Sequence, residues 1–244
     1  MSDDMHQTRE PIFNLPGVVT ALVALLALIH LGRSFLPITA DVVVLGEFAF
    51  VPAFIRDMAS GAYGDLVIPG GFWTFVTYAF LHGDWMHLIV NSLWIVAFGP
   101  AIYWRFGFTR FALFSLIGAV AGAAVYFVNH SNELVPMVGA SAVISAYMAA
   151  ALRFAFQDGA PLGYGARKDA SAYRMPANSL TEAFSNRTVL GFVAVYLAIN
   201  LLFGVGAFEG AGGQGRVAWE AHLGGFAAGL FLFPLFDPIG NRQV

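Results

Sequence analysis

Apolar residues come in runs too long for ordinary soluble helices. The first is 17–36, opened by Asn14 and Pro16, residues suited to a helix start. Its ionisable residues, His30 and Arg33, fall near its end. A mixed stretch, 37–72, follows with Asp41, Glu47, Asp57, Asp65 and the interruption of Pro52. That pattern predicts a long interfacial loop with short helices lying in the membrane surface. Further apolar runs cover 84–103, with Asp84 as N-cap, then 108–128, 138–156, 188–203 and 217–236. Each is close to the ~20 residues that cross a bilayer. Gly118 and Gly122 in the third run have the small-xxx-small spacing that lets helices approach closely.

Composition agrees with that reading. Of 244 residues, 58% are hydrophobic and only 11% charged, against about 25% charged in soluble domains. The mean hydropathy is +0.70. Length and pattern predict an all-α membrane protein crossing about six times. The expected divisions are a cytoplasmic tail 1–16, a membrane domain 17–237 and a C-terminal tail 238–244, with no separate soluble domain. The acidic N-terminus, with Asp3, Asp4 and Glu10 before a long apolar run, differs from a signal peptide. With the N-terminus inside, Arg9, Arg105, Arg110, Arg153, Arg167, Lys168, Arg174, Arg187 and Arg242 fall on the cytoplasmic side; Arg33, Arg56 and Arg216 fall outside. The positive-inside rule therefore predicts that both termini are cytoplasmic. A net charge of −3 gives no sign of nucleic-acid binding. The absence of cysteine excludes disulfides, thiolate metal sites and a cysteine nucleophile.

Polar groups inside apolar spans are costly and usually functional. Three clusters qualify. His82, His87 and Asn91 open the second span, with His87 and Asn91 on one helix face. Gly139-Ala140-Ser141-Ala142 opens the fourth, where small residues leave a hydroxyl and backbone N–H groups uncovered. His222, Gly225 and Gly229 share a face of the sixth. Each cluster read alone is also compatible with simple helix packing. Packing the His222 face against Ser141, Ser145 and Ala149, with Ala142 and Ala146 beside them, would bring Ser141 Oγ within reach of a histidine base. No third acidic member is evident: Glu220 lies about 200° round the helix from His222, and Asp237 about four turns on. A Ser–His dyad is expected rather than a triad.

Taken together and in this order, these residues resemble the rhomboid proteases. The elements are His82-x4-His87-x3-Asn91, Gly139-Ala140-Ser141 and Ala221-His222-x2-Gly225-x3-Gly229. The resemblance covers nearly the whole chain as the basic six-helix form. It implies Ser141 as nucleophile and His222 as base. His87 and Asn91 would serve the oxyanion hole with the Ser141 backbone N–H, and His82, Gly139, Gly225 and Gly229 would be structural positions near the site. It implies an intramembrane serine endopeptidase acting on single-span membrane proteins in or beside the bilayer, without metal or cofactor. The implied setting is a multi-pass protein of the bacterial inner membrane. Four positions depart from the family pattern: Ala142 for a glycine, Ser145 for an aromatic residue, Trp73-Thr74 for Trp-Arg, and Tyr103 for an acidic residue. They leave open an altered preference or low activity. The alternatives are a catalytically weak or inactive rhomboid-like protein that binds membrane clients, and a transporter or metal channel using the histidines.

Overall fold

A computed structural model describes residues 15–61, 69–167, 170–204 and 217–239. The N-terminal tail up to residue 14, the end of the C-terminal tail, and Arg9, Lys168, Arg216 and Arg242 of the charge pattern lie outside the described residues. The regular elements described are helices. They are α1 Gly17–Ser34, α2 Ile38–Phe48, α3 Pro52–Ser60, α4 Thr74–Thr77, α5 Trp85–His130, α6 Ser141–Ala151, α7 Leu180–Ser185, α8 Arg187–Gly204 and α9 Trp219–Phe236. Short 3₁₀ turns cover Tyr78–Phe80 and Ala170–Arg174. Among the described residues, α1, α5 and α8 are long and apolar enough to cross a membrane, and α6 is a shorter apolar helix.

Two expected spans are joined in α5, which is 46 residues long and breaks only at Gly107 (φ 72°, ψ 173°). A positive φ is readily adopted by glycine, so one residue turns the chain between arms 85–106 and 108–130. Asp84 caps the first arm, accepting from the His87 backbone N–H at 2.8 Å. Within the stretch 37–72, the described residues hold α2 and α3, short helices of the kind its mixed pattern and Pro52 predicted.

The fourth apolar run behaves differently from expectation. Helix starts only at Ser141 and ends at Ala151, a rise of ~16 Å against a hydrocarbon core of ~30 Å. The chain on either side is irregular. Non-helical backbone is tolerated at membrane depth only when protein encloses it. Here Gly139 and Ala140 before the helix and Leu152 to Ala155 after it are buried, and the helix between them, buried from Ala142 to Ala151, is enclosed chiefly by α5 and α9. The approach to α6 is fixed by the bridge between Phe50 and Met137 and by the Gly139 N–H donating to Tyr78 O at 3.0 Å.

Small residues set the spacing of this core. A Cβ on Gly118 would come within 3.0 Å of the Ala146 Cβ, and one on Gly122 within 2.4 Å of the Ala142 Cβ. From α9, a Cβ on Gly225 would lie 2.0 Å from the Ala142 carbonyl oxygen, and one on Gly229 2.3 Å from that of Ala146. The second arm of α5 thus receives the methyls of α6, and α9 receives its carbonyls.

Candidate active site

The close contact of α9 with α6 fixes the site. His222 lies one turn before Gly225, and its Nε2 sits 2.8 Å from Ser141 Oγ. The pair comes from residues 81 apart in sequence. Both side chains are only half-buried, so the site is not sealed. Ser141 is the first residue of α6, and the first intrahelical bond runs from the Ile144 N–H to Ala140 O. The N–H groups of the opening turn therefore have no acceptor within the helix, an arrangement that favours negative charge beside the hydroxyl.

The first arm of α5 supplies the other wall. Gly139 has φ 118°, and a Cβ there would lie 2.6 Å from His87 Nε2 and 3.8 Å from Asn91 Nδ2. A side chain at Gly139 would therefore displace His87. Both predicted donors thus stand beside the segment leading into Ser141. The Asn91 amide also donates to His87 O at 2.9 Å, which fixes its rotamer within the helix. His82 is fully buried and stands edge-on to the His87 ring at 5.1 Å. Its carbonyl accepts from Arg33 at 2.8 Å, and Arg33 in turn pairs with Asp41. His82 thus packs behind the site and ties it to α1 and α2.

The acidic residues near His222 in sequence are engaged elsewhere. Glu220 pairs with His130 at 2.9 Å. Asp237 forms a buried ion pair with Arg105 at 2.8 Å. Ala142 places its methyl against Gly122. Ser145 Oγ donates to Ser141 O at 2.7 Å.

One neighbour was not anticipated from sequence. Asn200 on α8 places Oδ1 2.7 Å from His222 Nδ1. Its Nδ2 donates to Tyr196 O at 2.8 Å. The Tyr196 hydroxyl lies 3.0 Å from Ser145 Oγ and 3.1 Å from His222 O. A signal existed: Asn200 is an amide in an otherwise apolar run, one turn after a tyrosine. The cost argument that drew attention to Asn91 applies equally to it.

The rhomboid-domain family model matches residues 69–237. RHOMBOID-like protein 5 of Arabidopsis thaliana is 26% identical over 172 residues, covering 68% of this chain and 45% of its own length. RHOMBOID-like protein 9, chloroplastic, from the same plant is 32% identical over 85 residues, covering 34% of this chain and 20% of its own. The chain thus spans less than half the length of these curated relatives. Both are plant proteins, and they lend no support to a bacterial inner membrane. The matched segment contains both arms of α5, the short α6 with Ser141, α8 and the His222 helix α9, and this chain belongs to the rhomboid family as an integral membrane protein.

Proposed function

We propose that the protein is an intramembrane serine endopeptidase acting on single-span membrane proteins. The observation that carries this reading is the 2.8 Å approach of Ser141 Oγ to His222 Nε2 at the mouth of a buried short helix. In the proposed reaction Ser141 Oγ attacks the scissile carbonyl carbon as its proton passes to His222 Nε2. The tetrahedral oxyanion is met by the Ser141 backbone N–H and by the side chains of His87 and Asn91. The imidazolium returns its proton to the leaving amine, which departs and leaves an acyl-Ser141. Water, deprotonated by the same imidazole, then releases the second product. No cofactor enters this chemistry.

We further infer six passes: α1, the two arms of α5, α6, α8 and α9, with both termini cytoplasmic. Arg105 supports a common cytoplasmic end. It joins the break in α5 to Asp237 beyond α9 and donates to Tyr173 O and Met175 O. Arg153, Arg167, Arg174 and Arg187 belong to the segments that follow α6 or open α8, as the positive-inside rule requires.

The test is co-reconstitution with a panel of tagged single-span proteins, comparing wild type with Ser141→Ala and His222→Ala. Cleavage by wild type alone is the expected result. Equal cleavage by either variant would overturn the reading. Stable capture of a substrate with no cleavage by the wild type would favour the client-binding alternative.

A further inference from the structure

We propose that Asn200 is a positioning residue for His222, fixing the tautomer and ring orientation that the Ser141 reaction needs. The proposal rests on the protease reading above.

The hydrogen-bond chain determines the direction of every proton in it. Tyr196 O can only accept, so the group 2.8 Å from it must be the Asn200 NH₂. The reversed amide would set two carbonyl oxygens against each other. Asn200 Oδ1 therefore faces His222 Nδ1 at 2.7 Å, and a carbonyl oxygen requires a proton on that nitrogen. With Nδ1 protonated, the neutral imidazole has its lone pair on Nε2, where Ser141 Oγ waits at 2.8 Å. The opposite tautomer would place a proton on the atom that must accept one. The partner of the remote ring nitrogen commonly sets this choice.

The origin of Asn200 gives the bond a second consequence. Along α8, only Val189 and Asn200 are buried. Val189 packs near the start of the helix with Leu152 and Leu230. Toward its other end, α8 meets the site through Asn200 and Tyr196. Tyr196 stacks on Phe226 at 4.8 Å, and its hydroxyl reaches Ser145 and the His222 carbonyl. Ser145 is small enough to leave room for that ring. A helix largely open to lipid thus delivers the amide that orients the histidine. Separation of this end of α8 from α9 would remove the amide from His222.

Asn200→Leu keeps the γ-branched shape, at a somewhat larger volume, and removes the acceptor. Asn200→Asp keeps an acceptor oxygen but places a charge at a buried position. If the residue only filled space, Asp would be the more damaging change, because burying an ion is costlier than burying a leucine. If it positions His222, Asp would be the milder change. The experiment measures kcat and KM on one cleavable substrate, the labelling rate with a fluorophosphonate serine probe, and melting curves, all on the full chain in detergent. The expected result for Asn200→Leu is a loss of roughly 10- to 100-fold in both kcat and labelling rate, by analogy with the loss of partners that orient metal-binding histidines, with KM little changed. Asn200→Asp should keep more than about one tenth of the wild-type rate despite an equal or lower melting temperature. Wild-type kcat in Asn200→Leu, or a rate for Asn200→Asp below that of Asn200→Leu, would overturn the proposal. Should Asn200→Leu fail to fold, the one-tenth threshold for Asn200→Asp decides alone. A wild-type protein that neither labels nor cleaves would instead sink the protease reading, a distinct outcome.

Discussion

Gly225 lies where α9 runs against the backbone of α6, which makes Gly225→Ala an informative perturbation. The added methyl would lie 2.0 Å from the Ala142 carbonyl oxygen and 2.7 Å from its carbon. Ordinary C···O contacts begin near ~3.3 Å, so the helices must part by about 1.3 Å. The obstacle is helix backbone, which cannot swing aside as a side chain would. His222 lies three residues before Gly225 on the same face and moves with it. Its 2.8 Å contact with Ser141 Oγ would then stretch to about 4 Å, past the limit of a useful hydrogen bond. A displacement of ~1 Å at reacting groups can cost about 10²-fold in rate. Overpacking of this kind also costs about 1–3 kcal/mol of stability. The assay is fluorophosphonate labelling and cleavage kinetics at a temperature where melting curves show the variant folded. Gly191→Ala is the control: a Cβ there meets nothing within 4 Å, and activity should not change. The combination of Gly225→Ala with Ala142→Gly should remain as slow as Gly225→Ala, since the clash is with a carbonyl and not with the Ala142 methyl. A Gly225→Ala protein within threefold of wild type, or rescue by Ala142→Gly, would refute the reasoning.

The remaining predictions concern the rest of the site. Asn91→Ala should lower kcat about 10²- to 10³-fold with KM little changed, as for loss of an oxyanion donor, whereas His82→Ala should chiefly lower the melting temperature; the reverse pattern in kinetics and melting curves would exchange their roles. Ala142→Gly should lower the melting temperature without raising kcat, because its methyl packs against Gly122 and its loss leaves a gap in a close-packed contact; a clear rise in turnover would mean the methyl crowds the oxyanion instead. EDTA or phenanthroline should leave cleavage unchanged, since both His222 ring nitrogens are committed to Asn200 and Ser141; inhibition reversed by zinc would favour a metal site.

Much of this architecture was legible as hydrophobic pattern, because a bilayer demands long apolar runs whatever their tertiary partners. The limits of α1, both arms of α5, α8 and α9 fall within a few residues of the runs that predicted them. The glycine spacings also carried real information, since Gly225 and Gly229 do face Ala142 and Ala146. The misjudged element was α6. Hydropathy cannot distinguish a helix enclosed by protein from one facing lipid, so the irregular chain before Ser141 and after Ala151 read as part of a full span. Asn200 was overlooked for a different reason. Attention fell on histidines and on carboxylates close to His222 in sequence, while the partner of Nδ1 is an uncharged amide from another helix. Only the tertiary arrangement shows that Glu220 turns to His130 and Asp237 to Arg105, leaving that place to Asn200.

The most direct test of the central claim is to locate the adduct of a fluorophosphonate probe by peptide mass spectrometry after brief treatment of the folded protein in detergent. The account predicts a single phosphonylated residue, Ser141, with labelling absent in Ser141→Ala and strongly slowed in His222→Ala. A folded wild-type protein that remains unlabelled, or an adduct on another serine that persists in Ser141→Ala, would contradict it.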